Sequence, residues 1–406
     1  LGGSGVQRVA KWAKYLPENG WNVTVLTVEP GAYFAFDESL MDEVREAGVR
    51  IVRTRTFDPT RSGKGKRVVG MPSERKRKWF SWITGFFFLP DNKRGWRKYA
   101  RQAFEEVTAA GPVDVVLSSA PPYTSLMVGD ELSSQLSVPH IVDYRDDWVE
   151  NPRHRYPTPF HKRWHVSAER SVVNRAACVV TINDSIASLL RGRHPDADIR
   201  ILPQGYDPAD MTIDHDRSSG GKIRLVYSGM FYDAQQPDSL LQAVALLVER
   251  DRHMVEKLEI CFVGLFPEEK LPLIKELGLE EMVTMSGYLS HREAVARLGS
   301  ADILWMIVGN QKGGHTISTG KLFEYMGTRL PILALAPEGE VRRVLSRYGA
   351  AWTVDPDDVG EIATALATLM KKAEEGSLPV GDEAWVAQFN RKTQAGELSK
   401  LLAEVS

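Results

Sequence analysis

The sequence predicts an α/β protein built as two doubly wound, Rossmann-like blocks, and three observations predict it. Strand-like apolar runs alternate with helical stripes almost throughout the 406 residues. Several of these runs are continuously apolar rather than alternating, as parallel strands covered on both faces require. One polar stretch at about 203–222, PQGYDPADMTIDHDRSSGGK, interrupts the alternation and reads as an interdomain linker.

The elements follow in order. LGGSGVQRVAKWAKYL opens the chain with apolar residues at Val6, Val9, Ala10, Ala13 and Leu16, a helical stripe. Gly2, Gly3 and Gly5 form a loop through which backbone can approach a sugar or phosphate. Such a loop ordinarily follows a strand, so a short strand is expected ahead of Leu1. Strands are predicted at 22–28, 113–119, 140–144 and 177–182, then at 223–229, 258–264, 282–287, 301–308 and 330–336. Helical stripes lie between them, as at 237–250 and 267–278. Residues 383–404 make one more amphipathic helix, joined through EEGSLPVGD. Two such blocks facing each other place a ligand cleft at the carboxyl ends of both sheets.

Composition is ordinary: 43% hydrophobic, 26% charged, net charge −2. Local charge hides in such a sum, so neither a membrane-surface nor a nucleic-acid role is excluded. Cys178 and Cys261 each sit in an apolar run without metal-ligand spacing, and read as strand residues in a reducing compartment. No secretory signal and no 18-residue apolar span occurs in the sequence.

The most informative stretch is Gly313 to Ala336, GGHTISTGKLFEYMGTRLPILALA. It reads as a polar loop, a short helix carrying Glu324, a break at Gly327 and a strand from Leu330. A loop entering a helix presents free N–H groups and a positive dipole end, which suits phosphate, and Glu324 one turn in can reach a sugar hydroxyl. A βαβ crossover whose glycines only make turns accounts for the same residues.

Residues 61–98 hold twelve Lys/Arg against two acids, Glu74 and Asp91, around KWFSWITGFFFLPD. The apolar run is too short to span a bilayer, but cations flanking Lys78, Trp79, Phe80, Trp82, Phe86, Phe87 and Phe88 suit an anionic membrane interface. A helical hairpin with a solvated basic face is the alternative, and no nucleic-acid fold signature accompanies the segment.

Six pieces in order resemble the retaining glycosyltransferases of the GT-B fold, family 4, in its polysaccharide- and lipopolysaccharide-building branch. They are GGSGVQR, SSAPPYTS, DYRDDW, LPQGYD, YSGMF and GKLFEYMGTRLPILAL, and they span essentially the whole chain. The resemblance implies an acceptor-binding domain at 1–205, a nucleotide-sugar domain at 206–382 and a helix at 383–406 crossing back to the first. It implies no metal and no cofactor. Glu324 falls on the second acid of the family's paired glutamates, which holds the nucleotide ribose; the first falls on Thr316. His315, Thr316, Ser318, Thr319, Gly320 and Lys321 then lie against the donor diphosphate and sugar, with Gly3, Gly5 and Gly229 beside them. Lys321 is either a phosphate cation or a solvated helix-start lysine. The family's diphosphate-clamping Arg and Lys fall on Met230 and Gln235, so Lys312, Lys321 or Arg329 must substitute or donor binding is weak. Tyr288 sits where the base-binding loop lies and either stacks on a nucleobase or packs. His291 only starts a helix. In DYRDDW, Asp143, Arg145 and Asp146 are expected to handle the reacting sugar and acceptor hydroxyl, the alternative being a salt-bridged loop anchored by Trp148.

The sequence therefore predicts a hexosyltransferase peripheral to the cytoplasmic face of the membrane. It would move a sugar with retention from a nucleotide diphosphate sugar to a glycan or lipid-linked acceptor. A non-catalytic partner subunit, or a nucleotide-sugar epimerase on the same fold, are the rival readings.

Overall fold

The computed structural model describes residues 4–31, 38–58, 84–151, 154, 156–212, 221–231 and 234–406. The chain divides into two compact units, Leu1–Pro203 with Arg391–Ser406, and Gln204–Asn390.

In the first unit β1 (Thr24–Val28) and β2 (Arg50–Thr54) form a parallel pair. Four further strands, β3 (Val116–Ala120), β4 (His140–Tyr144), β5 (Cys178–Thr181) and β6 (Ile199–Ile201), form a parallel sheet in that order. Both faces are covered. Val142 and Tyr144 of β4 and Val179 of β5 join Tyr123, Trp148 and Ile186 on one side. Ile141, Cys178 and Val180 point the other way, against Trp12, Tyr15 and Leu16 of the helix Ser4–Tyr15 and Ala395, Leu398 and Leu402 of the helix Arg391–Val405. The alternation of side chains along a strand produces this division, and burial on both faces explains the continuously apolar runs. Cys178 is buried and its thiol is pushed up to about 12 by that burial.

The second unit holds six parallel strands: β7 (Ile223–Ser228), β8 (Leu258–Val263), β9 (Val283–Gly287), β10 (Ile303–Ile307), β11 (Ile332–Leu335) and β12 (Ala351–Val354). Their order across the sheet is β12-β11-β10-β7-β8-β9, so the winding reverses between β7 and β10. In β10, Ile303, Trp305 and Ile307 pack with the helices Asp238–Arg250 and Val359–Glu374, while Leu304 and Met306 pack with Gly320–Thr328 and Glu340–Leu345.

Two local expectations are corrected. Gly327 does not break the helix, which runs Gly320–Thr328 and is closed by Arg329 in the left-handed region at φ 61°. A Cβ at Gly327 would stand 2.7 Å from the Tyr206 ring, so the residue is glycine for close packing. Likewise Glu383–Ala387 is a separate helix of the second unit, and the chain enters the first unit only at Arg391.

Candidate functional site

Several strands of the second unit end at or near glycines that let the following loops pack closely. Gly229, Gly264 and Gly287 follow or close β7, β8 and β9 with φ of 121°, 123° and 68°. A Cβ on Gly264 would lie 2.5 Å from the carbonyl oxygen of Gly229. Beyond β10 and β11 the same crowding recurs: a Cβ on Gly309 would lie 2.3 Å from the Ala234 oxygen, and one on Gly339 2.4 Å from the His315 oxygen. These loops pack backbone on backbone at the carboxyl end of the sheet, where the winding reverses, the place at which open α/β sheets bind ligands. Glycine makes that approach possible. Of these positions only Gly229 was singled out from sequence, although a glycine directly after β7 and β8, at the end of β9 and one residue beyond β10 was a readable signal.

The helix Gly320–Thr328 points its N-terminus at this loop cluster. Thr319 is its N-cap by position, yet its hydroxyl caps nothing: Oγ1 is buried with no hydrogen-bond partner among the described residues. Lys321 is half-buried, makes no ion pair among the described residues, and sets Nζ 3.6 Å from the centroid of the Tyr227 ring. Desolvation pushes its pKa down to about 7, with Glu324 pulling the other way. Glu324, one turn on, is half-buried and also without a hydrogen bond or ion pair among the described residues. Charge of both signs without ion-pair partners among the described residues marks this end of the sheet as the candidate site.

Other expected donor residues are placed as follows. Thr316 Oγ1 donates to the Gly313 oxygen at 2.9 Å, Ser318 is buried, and His315 is exposed with its backbone against Gly339. Tyr288 is 43% exposed at the end of the edge strand β9, two strands and about 10 Å from β7. Met230 is half-buried and its oxygen accepts from Tyr227 at 3.1 Å. Gln235 is buried, and its Nε2 has no hydrogen-bond partner among the described residues. Arg329 is no substitute for the missing cations. It closes the far end of the helix, about 12 Å from the N-terminus, where Nε donates to Gly381 at 3.0 Å and Nη1 pairs with Glu383 at 2.8 Å. Lys312 is exposed. His291 opens the helix His291–Gly299, as expected, and pairs with Asp210 at 3.1 Å. Gly3 lies outside the described residues.

In the first unit the DYRDDW residues separate by environment. Asp143 is fully buried in β4, where Arg8 donates to it at 3.1 and 3.2 Å and Ser119 Oγ at 2.6 Å. Arg8 itself continues to the Leu202 and Pro203 oxygens at 2.8 and 2.7 Å. This ion pair ties the first helix to the sheet, and it corrects the expectation that Asp143 handles a sugar. Arg145 is half-buried and bonds three carbonyl oxygens, those of Ala120, Pro121 and Gly5, with no carboxylate partner among the described residues. Gly5 is therefore not loop: it lies in the first turn of the helix from Ser4, and a Cβ there would meet the Arg145 guanidinium at 2.5 Å. Asp146 is half-buried at the carboxyl end of β4 and has no hydrogen bond or ion pair among the described residues. Asp147 is held instead in a buried network with Arg193, Glu169 and His194. Trp148 is the buried anchor, stacked on Tyr123 at 4.8 Å and donating to His165 Nδ1 at 2.9 Å.

Of the basic aromatic segment, Lys78, Trp79, Phe80 and Trp82 lie outside the described residues. Phe86 and Phe87 are 46% and 68% exposed, and Phe88 is half-buried. The structure adds Phe160, 66% exposed, which flanks His161 as Phe86 does, with exposed Lys162 and Arg163 beside it. Among the described residues no helix is long and apolar enough to cross a membrane. No group of three or more His, Cys, Asp or Glu among them is placed to hold a metal ion.

Comparison with known proteins gives the family and the fold. Residues 3–205 match the glycosyl transferase 4-like domain and residues 212–377 match glycosyl transferases group 1. No curated protein sequence matches the chain. Among solved structures, Anabaena HepE in complex with UDP-glucose is similar at TM-score 0.65 and 14% identity, covering 100% of this chain and 97% of that one. Sucrose-phosphate synthase from Thermosynechococcus elongatus is similar at 0.62 and 14%, covering 94% and 99%. A glycosyltransferase from Rickettsia africae is similar at 0.61 and 14%, covering 100% and 96%. With both halves matched by family and the fold shared over the full length, the chain belongs to the GT-B glycosyltransferases, its first unit of the glycosyl transferase 4-like kind and its second of group 1.

Proposed function

We propose that this glycosyltransferase moves a hexose from a nucleotide diphosphate sugar to a hydroxyl of a glycan or lipid-linked acceptor, with retention, in cell-surface polysaccharide assembly. The observation that carries the reading is the loop cluster of the second unit: backbone packed closely at Gly229, Gly264 and Gly309, beside Lys321 and Glu324, which have no ion-pair partner among the described residues. A helix N-terminus, a cation and an acid one helical turn apart are the chemistry that a diphosphate joined to a ribose requires. Glu324 takes ribose hydroxyls, the residues from His315 to Gly320 face the diphosphate and sugar, and Tyr288 stacks on the base. In the first unit, Asp146 is the free carboxylate that can accept the acceptor's proton. The unneutralised guanidinium of Arg145 favours negative charge nearby. No metal is assigned a part.

The exposed Phe86, Phe87 and Phe160 with Lys162 and Arg163 support a peripheral position on an anionic membrane, at its cytoplasmic face, where a lipid-linked acceptor would be met. A second reading, a non-catalytic partner subunit, is favoured by Gln235 and Met230 standing where the family has its basic pair.

Calorimetric titration with UDP-, ADP- and GDP-sugars tests the reading. One of them binds, and Glu324→Ala weakens it at least about tenfold. Incubation with that donor and acceptor extracts then gives a product whose anomeric configuration is that of the donor. Binding without turnover in any extract favours the partner subunit, and consumption of the donor with no acceptor present indicates an epimerase.

A further inference from the structure

By the family resemblance, Met230 and Gln235 stand where an Arg and a Lys follow β7, and the ammonium of Lys321 approaches the end of that strand from another element. Lys321 belongs to the helix after β10, but its side chain crosses the point where the winding reverses and ends over Tyr227, the next-to-last residue of β7. It fits because residue 229 is glycine: a Cβ there would stand 3.2 Å from both Cε and Nζ. Gly229 also needs its positive φ of 121°, so the same residue opens the turn and admits the lysine.

We infer that Lys321 is the counter-charge for the donor diphosphate in this chain, and that it takes up a proton when the nucleotide sugar binds. The inference rests on the donor-site reading above. Its physical basis is the surroundings of Nζ. Without an ion-pair partner, a desolvated ammonium beside an aromatic face is only weakly held in its charged form. The pKa near 7 expresses this, with burial as the main cause and Glu324, on the same helix, as the opposing charge. Tyr227 on β7 gives its ring face to the ammonium and its hydroxyl to the Met230 oxygen. Tyr325, also on the helix, is pushed well up by burial and stays neutral, its oxygen accepting from the Ser228 N–H. A diphosphate at the end of β7 supplies the missing anion and raises the lysine's proton affinity. The proton comes from solvent, so binding and protonation are linked and each favours the other.

The sign follows. Above the lysine's free pKa, binding must first protonate it, so affinity falls as pH rises. Nucleotide sugars are the right probe, because their diphosphate is a diester and does not itself titrate in this range, as free nucleoside diphosphates do. UDP-glucose, ADP-glucose and GDP-mannose are titrated into the full chain at pH 6.5 and 8.5, in buffers of differing ionisation enthalpy. For the donor that binds, affinity drops about tenfold or more across this span, and at pH 8.5 most of a proton is taken up per ligand. Lys321→Arg, which stays charged, binds with a flat profile and no proton uptake. Lys321→Met binds about tenfold or more weakly at pH 6.5.

A flat profile in the unmodified protein overturns the inference, as does the same slope in Lys321→Arg. Those results leave the donor site standing. Failure of all three nucleotide sugars to bind at any pH overturns the donor-site reading and this inference with it.

Discussion

Asp143 and Asp146 lie three residues apart and meet opposite surroundings. Asp143 faces inward from the middle of a sheet and is saturated by Arg8 and Ser119. Asp146 stands past the strand's end with no partner among the described residues. On the proposed reading the first serves stability and the second chemistry, and their variants separate the two. Asp143→Ala leaves a buried guanidinium without its anion and costs about 3–5 kcal/mol in urea unfolding. Asp146→Asn leaves the unfolding curve unchanged, because nothing depends on its charge in the fold. On the proposed reading it slows sugar transfer by roughly 10²–10⁴. The motif DYRDDW was legible as a polar cluster after a strand, but not which of its acids turns inward, because that depends on where β4 ends. Lys321 was legible as a charged residue at a helix start. Its place over Tyr227 was not, since the two are far apart in sequence and meet only through the strand order.

At the scale of elements, every strand missed was an edge strand, although the edges β3 and β9 were read. Every continuous apolar run became a strand, because burial on both faces demands apolar residues at successive positions. The strands β2, β6 and β12 were missed: RIVRT alternates charge with apolar residues, IRI is three residues long, and AWTV is mostly half-covered. Edge strands need only one partner and one buried face, so their sequences are weakly marked. Elements also carry the acid sensitivity of the fold. His140 on β3's neighbour β4 bonds Ser118 at 2.6 Å, His165 accepts from Trp148, and burial lowers each to about 4. Both are neutral in the folded chain and charge more readily when unfolded. Their contribution is complete above the unfolded value near 6.5 and is lost as pH falls toward 4, by up to about 3 kcal/mol each. Urea midpoints measured at pH 7 and pH 4.5 should show this loss. His165→Gln, which keeps an acceptor for Trp148 and does not titrate, should flatten part of it.

For the whole molecule, the two-block architecture followed from periodicity and one polar interruption, and the family match and solved neighbours share that fold. The aromatic surface was half legible: Phe86 and Phe87 stand in an obvious basic run, whereas Phe160 joins them only through folding. Phe86→Ser, Phe87→Ser and Phe160→Ser combined should reduce co-sedimentation with phosphatidylglycerol vesicles several-fold, while leaving donor affinity in solution unchanged. Equal sedimentation of the triple variant would remove the membrane role from this surface. One feature bears on how the molecule is made. Trp12, Tyr15 and Leu16 share a core with Ala395, Leu398 and Leu402, so the first unit is assembled from segments at opposite ends of the described chain. During synthesis Gln204–Asn390 emerges whole and can close on itself, while the first unit waits, its apolar helix face uncovered, for the segment beginning at Arg391. The unit translated first is therefore the one completed last, and in that interval a chaperone has most to shield.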